Sequence, residues 1–223
     1  EAKVNLPAVL ADNMVLQQQT DVKLWGQAQP KATLIVKTSW NNKTYKATAD
    51  NQGKWELSVA TPPAGGPYEI TFNDGEPLTL RNILIGEVWF CSGQSNMEMP
   101  MGGFDRQPAQ GTNDIIAKAK ASTPIRIYNT DSKDGRWIRQ SSKTPQEVLD
   151  VPVGIIISTL GGSKVEAWMS REAISPFKSI DLSILDNDEK IKNLTNTPCV
   201  LYNAKIAPFL NFAIKGFLWY QGE

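Results

Sequence analysis

From Leu6 to about Ile85 the chain alternates apolar and polar positions over short runs, the period expected of strands with one wet face. Thr33-Leu34-Ile35-Val36-Lys37-Thr38 is apolar and β-branched. Lys54-Trp55-Glu56-Leu57-Ser58-Val59 alternates strictly and puts Trp55, Leu57 and Val59 on one side, and Tyr68-Glu69-Ile70-Thr71-Phe72 repeats the pattern. Turn formers separate the runs at Asp50-Asn51-Gln52-Gly53, Pro62-Pro63-Ala64-Gly65-Gly66-Pro67 and Asn73-Asp74-Gly75. No helical period interrupts them. Residues 1–82 are therefore expected to form a small antiparallel β-sandwich.

The pattern changes near Ile83. Ile83 to Cys91, Val151 to Ile157 and Ile214 to Tyr220 are apolar runs too continuous for strands with one wet face, and they read as parallel strands covered on both sides. Between them lie helical candidates at Asn113 to Lys120, Val165 to Ile174 and Val200 to Ala213, the last to be kinked or ended by Pro208. Strand alternating with helix makes residues 83–223 an α/β layer domain with a parallel sheet. One stretch is short for that plan. Between the expected strand Ile125-Arg126-Ile127-Tyr128 and Val151, only Thr144 to Leu149 offers a helix, whereas a parallel crossover needs about a dozen residues.

Composition narrows the classes. The 223 residues carry 23 basic and 23 acidic side chains, so no charge excess points to nucleic acid or an anionic membrane surface. No apolar run is long enough for a transmembrane helix. Glu1 to Leu6 does not read as a signal peptide, so an exported protein would already have lost one. Cys91 and Cys199 can form one disulfide or remain two buried thiols, the blander reading; they make neither a framework nor a metal site, and no metal or cofactor is expected. The sequons at Asn42 and Asn193 are no commoner than chance gives. Trp25, Trp40 and Trp55 read as core residues of the sandwich, whose expected role is structural packing ahead of glycan binding.

Each of the three apolar runs ends in a small or polar cluster: Ser92-Gly93-Gln94-Ser95-Asn96, Ser158-Thr159-Leu160-Gly161-Gly162-Ser163 and Gln221-Gly222-Glu223. Ligands of open α/β sheets bind at the carboxyl ends of the strands. The chemistry these residues can assemble is acyl transfer: Ser95 attacks an ester carbonyl, and the N–H groups of Ser95 and Gly162 with the Gln221 amide hold the oxyanion. Met97 occupies the second glycine position of G-x-S-x-G, so the nucleophile elbow of α/β-hydrolases is not satisfied. Histidine, the usual base beside a serine nucleophile, is absent from the composition.

The stretch Glu87 to Pro100, containing Ser92-Gly93-Gln94-Ser95-Asn96-Met97-Glu98-Met99, resembles the nucleophile block of the sialate O-acetylesterase family, SGNH-type hydrolases close to certain acetylxylan esterases. Val151 to Ile156, Gly161 to Trp168, Leu201 to Pro208 and Trp219-Tyr220-Gln221-Gly222-Glu223 are similar to its later blocks in the same order, and Asp12 to Gln17 to part of its leading sandwich. The resemblance implies a secreted or periplasmic enzyme that removes acetyl groups from sugar hydroxyls through an acyl-serine intermediate. Its substrate would be an acetylated sialic acid or a xylan-type glycan. It implies Ser95 as nucleophile, Gly162 and Gln221 as oxyanion positions, Asn96 as a residue fixing the serine loop, and Glu223 as a carboxylate orienting the catalytic histidine. The family's Asp-x-x-His base lies in a later block that these residues do not reach, so the expectation is a partial chain whose base comes from a carboxy-terminal remainder. The alternative is a non-catalytic carbohydrate-binding fragment.

Overall fold

The computed structural model describes residues 4–100, 102–111, 124–132, 135–139, 151–186, 191 and 193–222. Its strands are β1 Val15–Gln17, β2 Asp21–Gln27, β3 Thr33–Thr38, β4 Thr44–Thr48, β5 Lys54–Ala60, β6 Gly65–Asn73, β7 Pro77–Gly93, β8 Ile125–Asn129, β9 Trp137–Arg139, β10 Val153–Thr159 and β11 Gly216–Tyr220. Among the described residues β2 and β5 make a separate antiparallel ribbon. The other nine strands share a sheet ordered β4-β3-β6-β7-β10-β8-β9, with β1 and β11 also pairing β7. The fold is a mixed α/β arrangement with few helical residues. Two compact units divide the chain: Glu1–Phe90 with Asn113–Ile157 and Asn211–Gly216, and Cys91–Thr112 with Ser158–Leu210 and Phe217–Glu223.

In the first unit the alternating runs behave as their period requires. Along β3, Leu34, Val36 and Thr38 are buried while Thr33, Ile35 and Lys37 are exposed. Leu34, Val36, Ile70 and Phe72 are fully buried, and Trp55 packs on Phe72 with ring centroids 5.8 Å apart. Each such side chain contributes about 1.5–3 kcal/mol on burial. The turns at Asp50 and Asn73 close by side-chain capture: Asp50 Oδ1 accepts the N–H of Gln52 and Lys54, and Asn73 Oδ1 that of Gly75. The expected turn at Pro62 to Pro67 is shorter than its composition suggests. Gly65 already pairs with Ile85 as the first residue of β6, and a register shift before Tyr68 absorbs the irregular Gly-Gly-Pro segment.

β7 changes partners along its length. Its first half pairs antiparallel with β6, and Leu84 to Gly86 pair in parallel with β1. Glu87 N–H then donates to Pro152 O (2.9 Å) and Leu160 N–H to Gly93 O (3.1 Å), so β10 advances in parallel with β7. Lys215 N–H donates to Val88 O and Gln94 N–H to Tyr220 O, so β11 does the same. β8 pairs in parallel with β10, and β9 returns antiparallel on β8. The parallel strands expected from the apolar runs are present. The return strand β9 is an element that the sequence reading did not anticipate in the stretch that looked too short for a crossover. Gly86 is required where β10 begins, because a Cβ there would lie 1.9 Å from Pro152 O.

The helical expectations are met only in fragments. Val165 to Ile174 breaks into a 3₁₀ turn, Val165–Trp168, and a single α-turn, Arg171–Ile174. Met169 and Ser170 between them are extended, and the Ser170 hydroxyl caps the second turn by accepting Ala173 N–H. Val200 to Ala213 holds a π-turn, Tyr202–Ile206, then a 3₁₀ turn, Ala207–Phe209, which stops at the proline-bearing segment. The candidates at Asn113 to Lys120 and Thr144 to Leu149 lie outside the described residues.

One buried carboxylate organises the middle of β7. Glu87 accepts hydrogen bonds from Gln18 Nε2 (2.6 Å) and Gln17 Nε2 (3.2 Å) and lies 3.6 Å from Lys215 Nζ. The same two glutamines accept N–H groups from Val88 and Ala64. Burial alone pushes the Glu87 carboxyl up, but the bonds from Gln18 and Gln17 and the Lys215 charge together outweigh it and hold the group below its usual range. A carboxyl depressed in the folded state stabilises above its unfolded value and loses that contribution as pH falls through the folded one. Denaturant melts of Glu87→Gln and the parent chain should therefore differ most near neutral pH, with the gap starting to close as pH falls below about 4.5 and closing fully only below the depressed folded value. A gap that stays constant in acid would refute this assignment.

Candidate active site

The three strand-end clusters of the second unit are bonded to one another. Ser92, fully buried in the last turn of the β7 pleat, donates its hydroxyl to Ser158 O (2.6 Å), and Ser158 Oγ donates to Lys205 O (2.9 Å). The peptide between Gly93 and Gln94 is held from both sides: its carbonyl accepts Leu160 N–H and its N–H donates to Tyr220 O at 3.1 Å. Gln221 Nε2 donates to Ser163 O (2.7 Å). Thus β7, β10 and β11 end together, as the sequence pattern required.

Glycine is needed at position 93. Its φ is +133°, and a Cβ would sit 2.1 Å from Tyr220 O. Beyond it the chain reverses at once through consecutive tight turns, with Met97 N–H on Gln94 O (2.9 Å) and Glu98 N–H on Ser95 O (3.0 Å). Ser95 opens this loop, half-buried, and no described group hydrogen-bonds its hydroxyl. The loop is held by its backbone. Asn96 is exposed, and its carbonyl accepts Met99 N–H while its side chain makes no hydrogen bond among the described residues.

Gly161 is the residue that packs on the serine. A Cβ there would lie 3.6 Å from Ser95 Cβ and 3.6 Å from Glu98 Oε2. The sequence reading chose its neighbour Gly162, which has φ +67° and is exposed, with open space where a Cβ would be. The turn carrying both glycines is pinned by Ser163, whose buried hydroxyl donates to Leu160 O (2.6 Å) and accepts Trp168 Nε1–H (2.8 Å). Trp168 then packs with Ala167 and Leu201 and meets Trp219 edge-on at 5.7 Å. Gln221 keeps one amide N–H beyond the one given to Ser163, and its Oε1 is buried without a partner. Gln94, only 3% exposed, has the same unpartnered Oε1. Neither Gln94 nor Gly161 stood out in the sequence; for both, the available signal was adjacency to Ser95 or to Gly162. Glu223 lies outside the described residues.

The two cysteines of this unit are free thiols. Burial pushes the Cys91 thiol up and does the same to Cys199, where Arg171 partly opposes it. Neither is a thiolate nucleophile poised for chemistry near neutral pH.

This fold is similar to that of a solved carbohydrate acetylesterase from Xanthomonas citri, with a TM-score of 0.78 and 29% identity over 99% of this chain and 51% of that one. More particularly, the chain is similar to sialate O-acetylesterases. The human protein of that name is 25% identical across 95% of this chain and 47% of its own length, and the rat protein 26% across 94% and 50%. The chain spans about half the length of these curated relatives. No protein-family model matches it.

Replacing Gly93 by alanine is expected to cost more than about 3 kcal/mol, because the Cβ meets fixed backbone and the φ is foreign to L side chains. Thermal or urea denaturation measures it, and a variant that melts like the parent would contradict the described strand end.

Proposed function

We propose that this chain is the nucleophile-bearing part of a carbohydrate O-acetylesterase of the sialate O-acetylesterase type. It would consist of an amino-terminal β-sandwich and an SGNH-like three-layer α/β domain, working outside the cytoplasm as a secreted or periplasmic protein. The observation that carries the reading is the joined strand ends, which set Ser95 against Gly161 and fix Gln221 through Ser163. The likeness to the acetylesterases over nearly the whole chain supports the same reaction.

In this mechanism Ser95 Oγ forms a bond to the acetyl carbonyl carbon while its proton passes to a base. The carbonyl oxygen, now anionic, takes hydrogen bonds from Ser95 N–H, Gly162 N–H and the Gln221 N–H that Ser163 leaves unused. Collapse of this intermediate expels the sugar hydroxyl, and water then releases acetate from Ser95. The 223 residues contain no histidine, so the base is assigned to an Asp-His pair from a carboxy-terminal remainder of the same protein. Glu223 is kept as a carboxylate that orients it. Supporting this, β11 presents Phe217, Leu218, Trp219 and Tyr220 at 38–53% exposure, an apolar strand with room for further structure. The acetyl donor is assigned to a sialic acid, with an acetylated xylan-type glycan as the alternative.

In the longer protein, Ser95→Ala should abolish acetate release from an acetylated sialic acid or aryl acetate without lowering the melting temperature. Gln221→Ala should reduce kcat by roughly 10²–10³-fold. Full turnover by Ser95→Ala would refute the nucleophile. The isolated 223 residues should retain only a small part of that turnover; equal rates in both forms would refute the external base, and binding with no turnover in either would favour a carbohydrate-binding module.

A further inference from the structure

A pocket of about 590 Å³ opens among the amino-terminal strands, in the unit that does not carry Ser95. Its size falls within the range of small-molecule sites, about 300–1,000 Å³. The walls come from the end of the β2·β5 ribbon, where Gly26 faces Trp55 and Gln27 faces Lys54, and from the segment at Asn5, which exchanges two 2.8 Å backbone hydrogen bonds with Gln27. Gly26 allows that close approach: a Cβ there would lie 2.4 Å from Asn5 O and 3.0 Å from Trp55 Cζ2.

Three properties select the ligand. Two indoles line the pocket and both are fixed by neighbours: Trp25 edge-on to Phe212 at 6.4 Å, and Trp55 against Phe72. An aromatic surface already held in place costs little ordering when an apolar ligand face stacks on it. The residues Asn5, Gln27 and Asn211 bring side-chain amides, each combining a donor and an acceptor in one group, which suits the adjacent hydroxyls of a sugar. The charged members are Asp50 and Glu56 against Lys54, a weakly negative set that disfavours an anionic ligand.

We propose that this pocket binds a neutral pyranose unit of a glycan, stacked on Trp25 and hydrogen-bonded by the amides and by Glu56. It is a second carbohydrate site, separate in residues from the acyl-transfer site and independent of it. An enzyme acting on a polymeric or branched glycan gains residence time when a neighbouring unit is held by a second weak contact.

The test uses the full 223-residue chain titrated with neutral oligosaccharides (xylotetraose, cellotetraose, galactobiose) and with N-acetylneuraminic acid, read by tryptophan fluorescence and ligand-observed NMR. At least one neutral sugar should bind with a Kd of about 10 mM or tighter, and N-acetylneuraminic acid should show weaker binding of the kind that Trp25→Ala removes. Trp25→Ala should weaken binding at least about tenfold, and Gln27→Ala and Glu56→Ala about fivefold each. These last two side chains are exposed, and Glu56 pairs only with solvent-facing Lys23 at 3.5 Å, so their variants keep the fold even where Trp25→Ala does not. Ser95→Ala should bind unchanged, which separates this result from failure of the esterase reading. Absence of binding at about 50 mM, affinity unaltered in Gln27→Ala and Glu56→Ala, loss of neutral-sugar binding in Ser95→Ala, or a preference for the sialic acid that disappears in Gln27→Ala and Glu56→Ala would each overturn the proposal.

Discussion

The peptide between Gly93 and Gln94 donates to one neighbouring strand end and accepts from the other: its N–H goes to Tyr220 O and its carbonyl receives Leu160 N–H. Because a peptide is planar, fixing both polar groups fixes its orientation, and with it the direction in which the chain leaves toward Ser95. The residue that permits this is glycine at φ +133°. Every other feature of the site is a consequence. Ser95 opens the turn that begins two residues later, Gly161 lies against it because Leu160 is bonded to Gly93, and Gln221 follows directly from Tyr220.

Stability and site geometry are therefore written into the same strand. β7 runs seventeen residues, and its buried middle, Ile83 to Val88, is anchored by apolar burial and by the Glu87 cluster. The carboxylate there is satisfied by two amides and a lysine, which is what a buried charge needs if it is to stabilise rather than strain the sheet.

Much of this was legible in the sequence, for reasons that differ by element. The strands β3, β5 and β6 were readable because alternation is a local pattern, and β7, β10 and β11 because apolar runs of their length need cover on both faces. The convergence of their ends was inferred from where small residues fell. The helices were not readable in the same way. Val165 to Ile174 has the spacing of one helix, but Ser170 caps a second turn and divides it, and capping competes locally with a periodic pattern. β9 was missed because three residues carry no usable period. The contact of Gly161 with the serine was not legible, because two adjacent glycines look alike in sequence and the bond from Leu160 to Gly93 is what places Gly161 there.

Buried polar atoms left without partners are informative because folding seldom tolerates them: each forfeits its bonds to water and gains none. Among the described residues they are Trp55 Nε1, both carboxylate oxygens of Asp74, Gln94 Oε1, Thr130 Oγ1 and Gln221 Oε1. Gln94 precedes the serine in sequence, Gln221 follows Tyr220 in the strand-end cluster, and Trp55 belongs to the amino-terminal pocket. Gln94 and Gln221 lie where the proposed acyl transfer would bring a substrate or base, whereas Asp74 and Thr130 belong to neither the strand-end clusters nor the pocket, so an unpartnered atom carries weight only together with the strand-end geometry.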